Sequence, residues 1–356
     1  MEGSIKQPAN PLVAGFRKVH NLLGFTKGYN FMLWFVFAGA FSRFAITRLA
    51  YINFWGFFCN EQRPRGTGAM PGECFYYTKP GRYHIGIMMH LIAVLPATLL
   101  ACLQFAPVIR RKAMFLHRIM GYISVALAIV GTLGAVMIFR PLAGGGLDVQ
   151  SGVGLLAIMF MGALIMAIIN IRRLQIEQHR AWMIRAWVYG GCVVTTRLLL
   201  IIFALFVSYT GGYYTAQPCN KISMTLKGKD ATMTLYPQCL SFFSGENPDQ
   251  HVLVKANFFG NVIEITSALN LAFGTAVWVS LLLHMVGVEL YLHLTSAEHE
   301  RLRNLSYRRQ LKKGMENPGS AGWIVDPFGD EAKWTPKSEI KDAGNTEKPS
   351  KTSKDQ

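Results

Sequence analysis

Charge is scarce in this sequence. Asp, Glu, Lys and Arg make up 16% of its 356 residues, where a soluble domain averages about 25%. Residues 31–40, 119–139, 153–169 and 268–288 hold almost none, and such runs approach the roughly 20 residues that cross a hydrocarbon core. A water-soluble protein is thereby excluded. Cofactor and nucleotide signatures are also missing. There is no Gly-x-Gly-x-x-Gly before a helix, no P-loop, no nucleophile elbow and no His-Glu-x-x-His. No Asp-rich pair of the kind that binds prenyl diphosphate through magnesium is present. These missing signatures argue against nicotinamide or flavin binding within the chain, and hydride-level electrons would have to come from a partner. Acid is scarcer than base: 20 Asp and Glu stand against 36 Lys and Arg, a net charge of +16. The surplus lies in short loops and tails, where membrane topology accounts for it, and nucleic-acid binding is set aside. The polar start, Met1 to Asn10, ahead of an apolar run from Tyr29 shows no cleavable signal peptide and predicts an uncleaved signal anchor.

What is present predicts an all-α integral membrane protein. Six transmembrane helices are expected over 29–52, 84–107, 117–139, 151–171, 181–209 and 259–290, forming one bundle that fills 29–294. The N-terminal segment 1–28, the loops between helices two and three and between four and five, and the tail carry the Lys and Arg of one side. The opposite loops, with Arg63, Arg65, Lys79 and Arg82 on the first, are balanced. Both termini are therefore expected in the cytosol. The two long lumenal loops, about 53–83 and 210–256, each hold two of the six cysteines. Cys59 with Cys74 and Cys219 with Cys239 are expected as disulfides in an oxidising compartment. Cys102 and Cys192 fall inside helices as packing residues. The tail 295–335 predicts a basic interfacial helix that opens on a capping box, Thr295-Ser-Ala-Glu298, and carries a thin apolar side of Leu302, Leu305 and Leu311. Residues 336–356 read as disordered. The sequon at Asn304 is cytosolic on this topology and unused.

Two basic loops repeat one motif. Ile109-Arg110-Arg111, five residues, then His117-Arg118 recurs as Ile171-Arg172-Arg173, five residues, then His179-Arg180, at an offset of 62 residues. A duplicated helical hairpin follows, with helices two to five as a four-helix core and equivalent histidines at two helix starts. Paired histidines on bundled helices suit haem iron or another metal, so His117 and His179 are candidate ligands of a b-type haem. Arg118 and Arg180 are candidate partners of its propionates. The plainer reading is interfacial histidines at helix ends and arginines reaching lipid headgroups.

Charges at membrane depth form a second set. At about 1.5 Å of rise per residue, Arg43, Arg48, His90, Arg197 and Glu264 all fall in the lumenal half. They make a candidate ligand cavity in which Glu264 pairs an arginine, or a buried ion-pair network. His284 and Glu289 join His117 and His179 on the cytosolic half, and His284 is a possible third ligand or a packing histidine.

Four segments carry a resemblance: Gly72-Glu-Cys-Phe-Tyr-Tyr77, Leu116-His-Arg-Ile-Met-Gly-Tyr122, Gln178-His-Arg-Ala-Trp-Met-Ile-Arg-Ala-Trp187 and Pro318-Gly-Ser-Ala-Gly-Trp323. Together they resemble a family of multi-pass membrane proteins frequent in filamentous fungi and known by a domain of unknown function. The resemblance implies a fungal source, an endomembrane location and members beside secondary-metabolite biosynthesis genes; the endoplasmic reticulum or the plasma membrane is the expected location. It supplies no reaction and no catalytic residues. Three readings follow: a b-type-cytochrome-like redox or tailoring component fed by a cytosolic reductase, a small transporter or receptor for an anionic ligand, and a non-catalytic scaffold that docks pathway enzymes through its tail. The lipid bilayer is the one partner common to all three.

Overall fold

The computed structural model describes residues 11–60, 62, 68–319, 334 and 336. Arg63, Arg65, the last four residues of the Pro318–Trp323 segment and nearly all of the tail after 319 lie outside them. The elements run α1 (Pro11–Leu22), α2 (Gly28–Arg48), α3 (Cys74–Tyr77), α4 (Arg82–Gln104), α5 (Pro107–Lys112), α6 (Met114–Ile138), α7 (Leu147–Arg172) and α8 (Ile176–Thr210). Then come β1 (Tyr214–Pro218), α9 (Cys219–Leu226), α10 (Lys229–Leu235), α11 (Leu240–Ser244), β2 (His251–Lys255), α12 (Val262–Leu294) and α13 (Ser296–Lys312). Six of these are long and apolar enough to span a membrane: α2, with its extension to Ile52, α4, α6, α7, α8 and α12. They match the expected spans to within a few residues. Large apolar side chains such as Phe115, Ile158, Leu198 and Leu294 stand exposed along them, as lipid-facing residues must.

The chain divides into two compact units, 1–158 with 190–283 and 159–189 with 284–356. In the first, α4 and α6 cross closely because glycine removes the side chain at the crossing. A Cβ on Gly134 would lie 2.6 Å from both the Gly86 carbonyl and the His90 amide nitrogen. Such close helix contact is the usual way small residues drive association in lipid. Ser124 donates to the Ala97 carbonyl at 3.1 Å across the same seam. A second core joins the start of α7, the end of α8 and the middle of α12 through Val149, Leu200, Ala204, Leu269, Phe273 and Val277.

The long loop before α12 is a folded cap. Its β1 and β2 pair antiparallel, Tyr214 opposite Lys255 and Pro218 opposite His251. The exposed–buried alternation over His251-Val-Leu-Val-Lys255 is the period-two pattern of a half-buried strand. This ribbon is the one departure from the all-α expectation among the described residues. Both expected disulfides are formed, Cys59–Cys74 and Cys219–Cys239, and Cys102 and Cys192 are free and buried.

Capping differs from the expectation. Thr295 makes no side-chain cap; its hydroxyl donates back to the Tyr291 carbonyl at 2.9 Å, and Glu298 instead holds Arg301. The capping box stands at α12. Asn261 Oδ1 accepts from the amides of Ile263 and Glu264, and Glu264 Oε2 accepts from the Asn261 amide at 3.0 Å.

In the second unit α13 forms as expected but buries a different face. Leu302, Ser306 and Gln310 are buried, while Leu311 is exposed. Ser306 donates to the Glu177 carboxylate and accepts from the Ile176 amide, and Gln310 donates to the Arg173 carbonyl. The spacing of four puts these three on one stripe of a helix. Of the expected leucine side Leu302 is buried, and polar docking onto the α7–α8 turn supplies the rest of the stripe.

Two outcomes follow. Gly134→Val is expected to destabilise by about 1–3 kcal/mol through overpacking, whereas Gly154→Ala, which meets nothing within 4 Å, gains up to about 1 kcal/mol of helix propensity; thermal unfolding in detergent reads both. Thiol labelling of denatured, unreduced protein should count two cysteines, and of reduced protein all six.

Candidate functional site

The first unit gathers its ionisable groups around a short plug, residues 68–77. The Ala69 amide donates to the Phe58 carbonyl at 3.0 Å, and the Cys59–Cys74 bond fixes the far end. Between them Gly72 takes φ +80, a left-handed conformation that suits glycine, and its missing side chain leaves room for Lys221 Cε, which a Cβ there would meet at 2.6 Å. Glu73 is thereby turned inward to 7% exposure. Its Oε1 accepts from the Ala143 amide at 3.3 Å. Ala143 itself has φ 46 and ψ 47, and Gly144 and Gly145 beside it also have positive φ. Of the amides in this positive-φ run, that of Ala143 is the one given to the carboxylate.

Three other elements close on the plug. Arg197 of α8 donates to Met70 Sδ at 3.5 Å, with its guanidinium 5.5 Å from the Phe273 ring centre. Lys221 of α9, buried, has its ammonium 5.6 Å from the Tyr76 ring centre. Thr266 of α12 reaches the Pro71 carbonyl at 3.4 Å. Tyr77 is 1% exposed, and its carbonyl meets His84 Nδ1 at 2.8 Å. Burial pushes the Glu73 carboxyl above the usual carboxylate range, and the charges of Arg197 and Lys221 act against that rise. Burial likewise pulls the Lys221 ammonium down, with Glu73 opposing. Desolvation raises the Tyr77 phenol well above its ordinary value, Glu73 adding to the effect.

The structure brings together part of the expected cavity. Arg48 and His90 both lie within electrostatic reach of Arg197. Arg48 also donates to the Phe44 carbonyl and stacks on the Phe44 ring at 3.7 Å. His90 is held across the helix seam, Nδ1 to the Gly131 carbonyl at 2.9 Å. Arg43 stands exposed, and Glu264 serves its own helix start. The carboxylate near Arg197 is Glu73, and Lys221 is the added cation. In the sequence Glu73 stands out only within the family-like segment and nothing marks Lys221, because both lie in loops that read as lumenal connectors. One signal was available: a lone acid followed by Cys-Phe-Tyr-Tyr beside a predicted disulfide is an acid pulled among aromatics.

The two histidines of the repeat occupy the same register, each the fourth residue of its helix. Their amides close the same first turn, onto Ala113 and Gln175 respectively, both at 2.9 Å. His117 belongs to the first unit and His179 to the second. His117 is half-buried and Arg118 exposed. His179 Nδ1 meets the Ala167 carbonyl at 2.9 Å, and Arg180 bonds the Tyr291 hydroxyl at 3.3 Å. Within the second unit Arg185 grips Glu289 with both nitrogens, at 2.7 and 2.8 Å, and His284 Nδ1 meets the Val188 carbonyl at 2.7 Å. Trp182 packs under Arg185 and Trp187 against Phe160. The His-Arg-x-Trp-Met-Ile-Arg run therefore locks α7, α8 and α12 together. Among the described residues, no three His, Cys, Asp or Glu cluster as a metal site.

Residues 87–217 match the family described as "Predicted membrane protein (DUF2306)". The chain is also similar to "Ava biosynthesis cluster protein G" of Aspergillus versicolor, 24% identical over 313 residues that cover 77% of this chain and 91% of that protein. No solved structure matches. The resemblance to a fungal multi-pass membrane family is thus supported by both findings, and the protein is a multi-pass membrane protein with a relative named for a biosynthesis cluster.

Glu73 yields a pH prediction. Because its folded pKa is raised, its contribution to stability is complete below about pH 4.3 and is lost as pH climbs through the raised value. Glu73→Gln keeps the acceptor for Ala143 and should remove this loss, so that wild type and variant converge at acid pH and the variant becomes the more stable as pH rises. Glu73→Ala, which leaves the buried Ala143 amide without its acceptor, is expected to cost about 1–3 kcal/mol. Thermal unfolding from pH 4 to pH 8 checks both.

Proposed function

We propose that this protein is a membrane component of a fungal-type biosynthetic pathway that binds a lipophilic anion at the Arg197 site. One observation carries the reading. Arg197 and Lys221 both act on the buried carboxylate Glu73, and Arg48 lies within reach of Arg197; cations outnumber the carboxylate there, and a surplus of cations out of water is costly unless an anion joins them. Arginine presents a planar fork suited to a carboxylate or phosphate. The apolar helices around it suit a greasy body behind that head. A relative printed as a biosynthesis cluster protein supports a metabolite as cargo or substrate, and the site serves a transporter, a receptor or a tailoring component equally.

The test uses decanoate as probe and its uncharged methyl ester as control. Decanoate should raise the unfolding temperature of the wild-type protein and the ester should not. Arg197→Gln should lose the shift while staying folded. An equal shift with ester and acid, or one that survives in Arg197→Gln, sinks the proposal.

A further inference from the structure

The two copies of the basic motif are covered in different ways. At the second, α13 supplies protein partners to the turn: Ser306 accepts from the Ile176 amide, and Gln310 donates to the Arg173 carbonyl. At the first, α1 takes the covering place and leaves a cleft of about 530 Å³. The wall of that cleft is a firm seam. Gly24 has φ +82, and a Cβ there would stand 3.0 Å from the Val108 amide nitrogen, which donates to the Leu23 carbonyl at 3.0 Å. Only glycine lets the α1–α2 turn come so close to α5. Into the cleft face Lys18, Asn21 and Leu22 of α1 and Arg111 and Lys112 of α5. None of the three cations has a carboxylate partner among the described residues.

We infer that this cleft is a headgroup site for an anionic phospholipid, its phosphate held by Lys18, Arg111 and Lys112. Several features commit the site to lipid. The cleft lies on the side where the loops are rich in Lys and Arg, which the charge rule assigns to the anionic leaflet. Its own α1 is amphipathic, with Val19 49% and Leu22 75% exposed beside Lys18, an apolar rim for acyl chains next to the charge. Asn21 adds a neutral donor and acceptor suited to the polar part of a headgroup. A nucleotide or free phosphate would make no use of that rim.

The repeat supplies its own control. The full chain in detergent is titrated with dioleoyl phosphatidylserine and, separately, dioleoyl phosphatidylcholine, and adducts are counted by native mass spectrometry. Each cation near the surface changes lipid affinity by about fivefold, so Lys18→Gln with Arg111→Gln and Lys112→Gln should weaken phosphatidylserine by roughly a hundredfold. Lys18→Gln alone, a change at an exposed position, should weaken it about fivefold. Arg172→Gln with Arg173→Gln, at the matching turn of the second copy, should change it little. The inference is overturned if both multiple variants lose binding equally, since bulk charge would then explain it. It is also overturned if phosphatidylcholine binds as well as phosphatidylserine, or if inorganic phosphate in large excess displaces the lipid.

Discussion

Glu73 sits out of water with cations in reach, and the rest of the first unit is arranged around that fact. A buried carboxylate without partners costs several kcal/mol, so every contact to it has to be supplied by a neighbour that could have gone elsewhere. Ala143 adopts a left-handed backbone and gives its amide. Lys221 is carried down from the cap into the space left by Gly72. Arg197 projects from the middle of α8, where a lipid-facing guanidinium would be expensive. Plug, cap, turn and helix thus meet through one charge, although each comes from a distant part of the chain.

The second unit solves a related problem with different chemistry. Arg185 and Glu289 satisfy one another bidentately, a geometry in which both partners lose most of their need for water. His179, His284 and Arg180 are each tied to a carbonyl or hydroxyl of the same unit. The Arg185–Glu289 charge of this unit is consumed by packing, whereas the plug region holds more cations than its carboxylate neutralises. That contrast directs the functional reading to the plug rather than to the more conspicuous histidine motif.

The long elements were legible from composition because lipid imposes one rule over some twenty residues at a time. The spans, and the disulfides Cys59–Cys74 and Cys219–Cys239, followed from that rule and from pairing within a loop. Contacts that join loops to helices were not legible. Nothing local marks Lys221 as a partner of Glu73, since their meeting depends on how the cap folds over its β-ribbon. The capping box at Asn261 and the buried stripe of α13 were missed for a smaller reason: Thr295 offered a matching pattern, but a threonine hydroxyl one turn from the end of α12 had a carbonyl closer at hand. Of the expected cavity, Arg48, His90 and Arg197 share an electrostatic neighbourhood, while Glu264 turned out to serve backbone amides.

The bond between Cys59 and Cys74 sits one residue from Glu73. A nascent chain whose cysteines are still reduced has no covalent hold on the segment that carries this carboxylate, and such bonds persist only in an oxidising compartment. Seating of the plug is therefore tied to where the chain has travelled. Molecules retained in a reducing environment would carry all six helices while the segment around Glu73 is held by its hydrogen bonds alone.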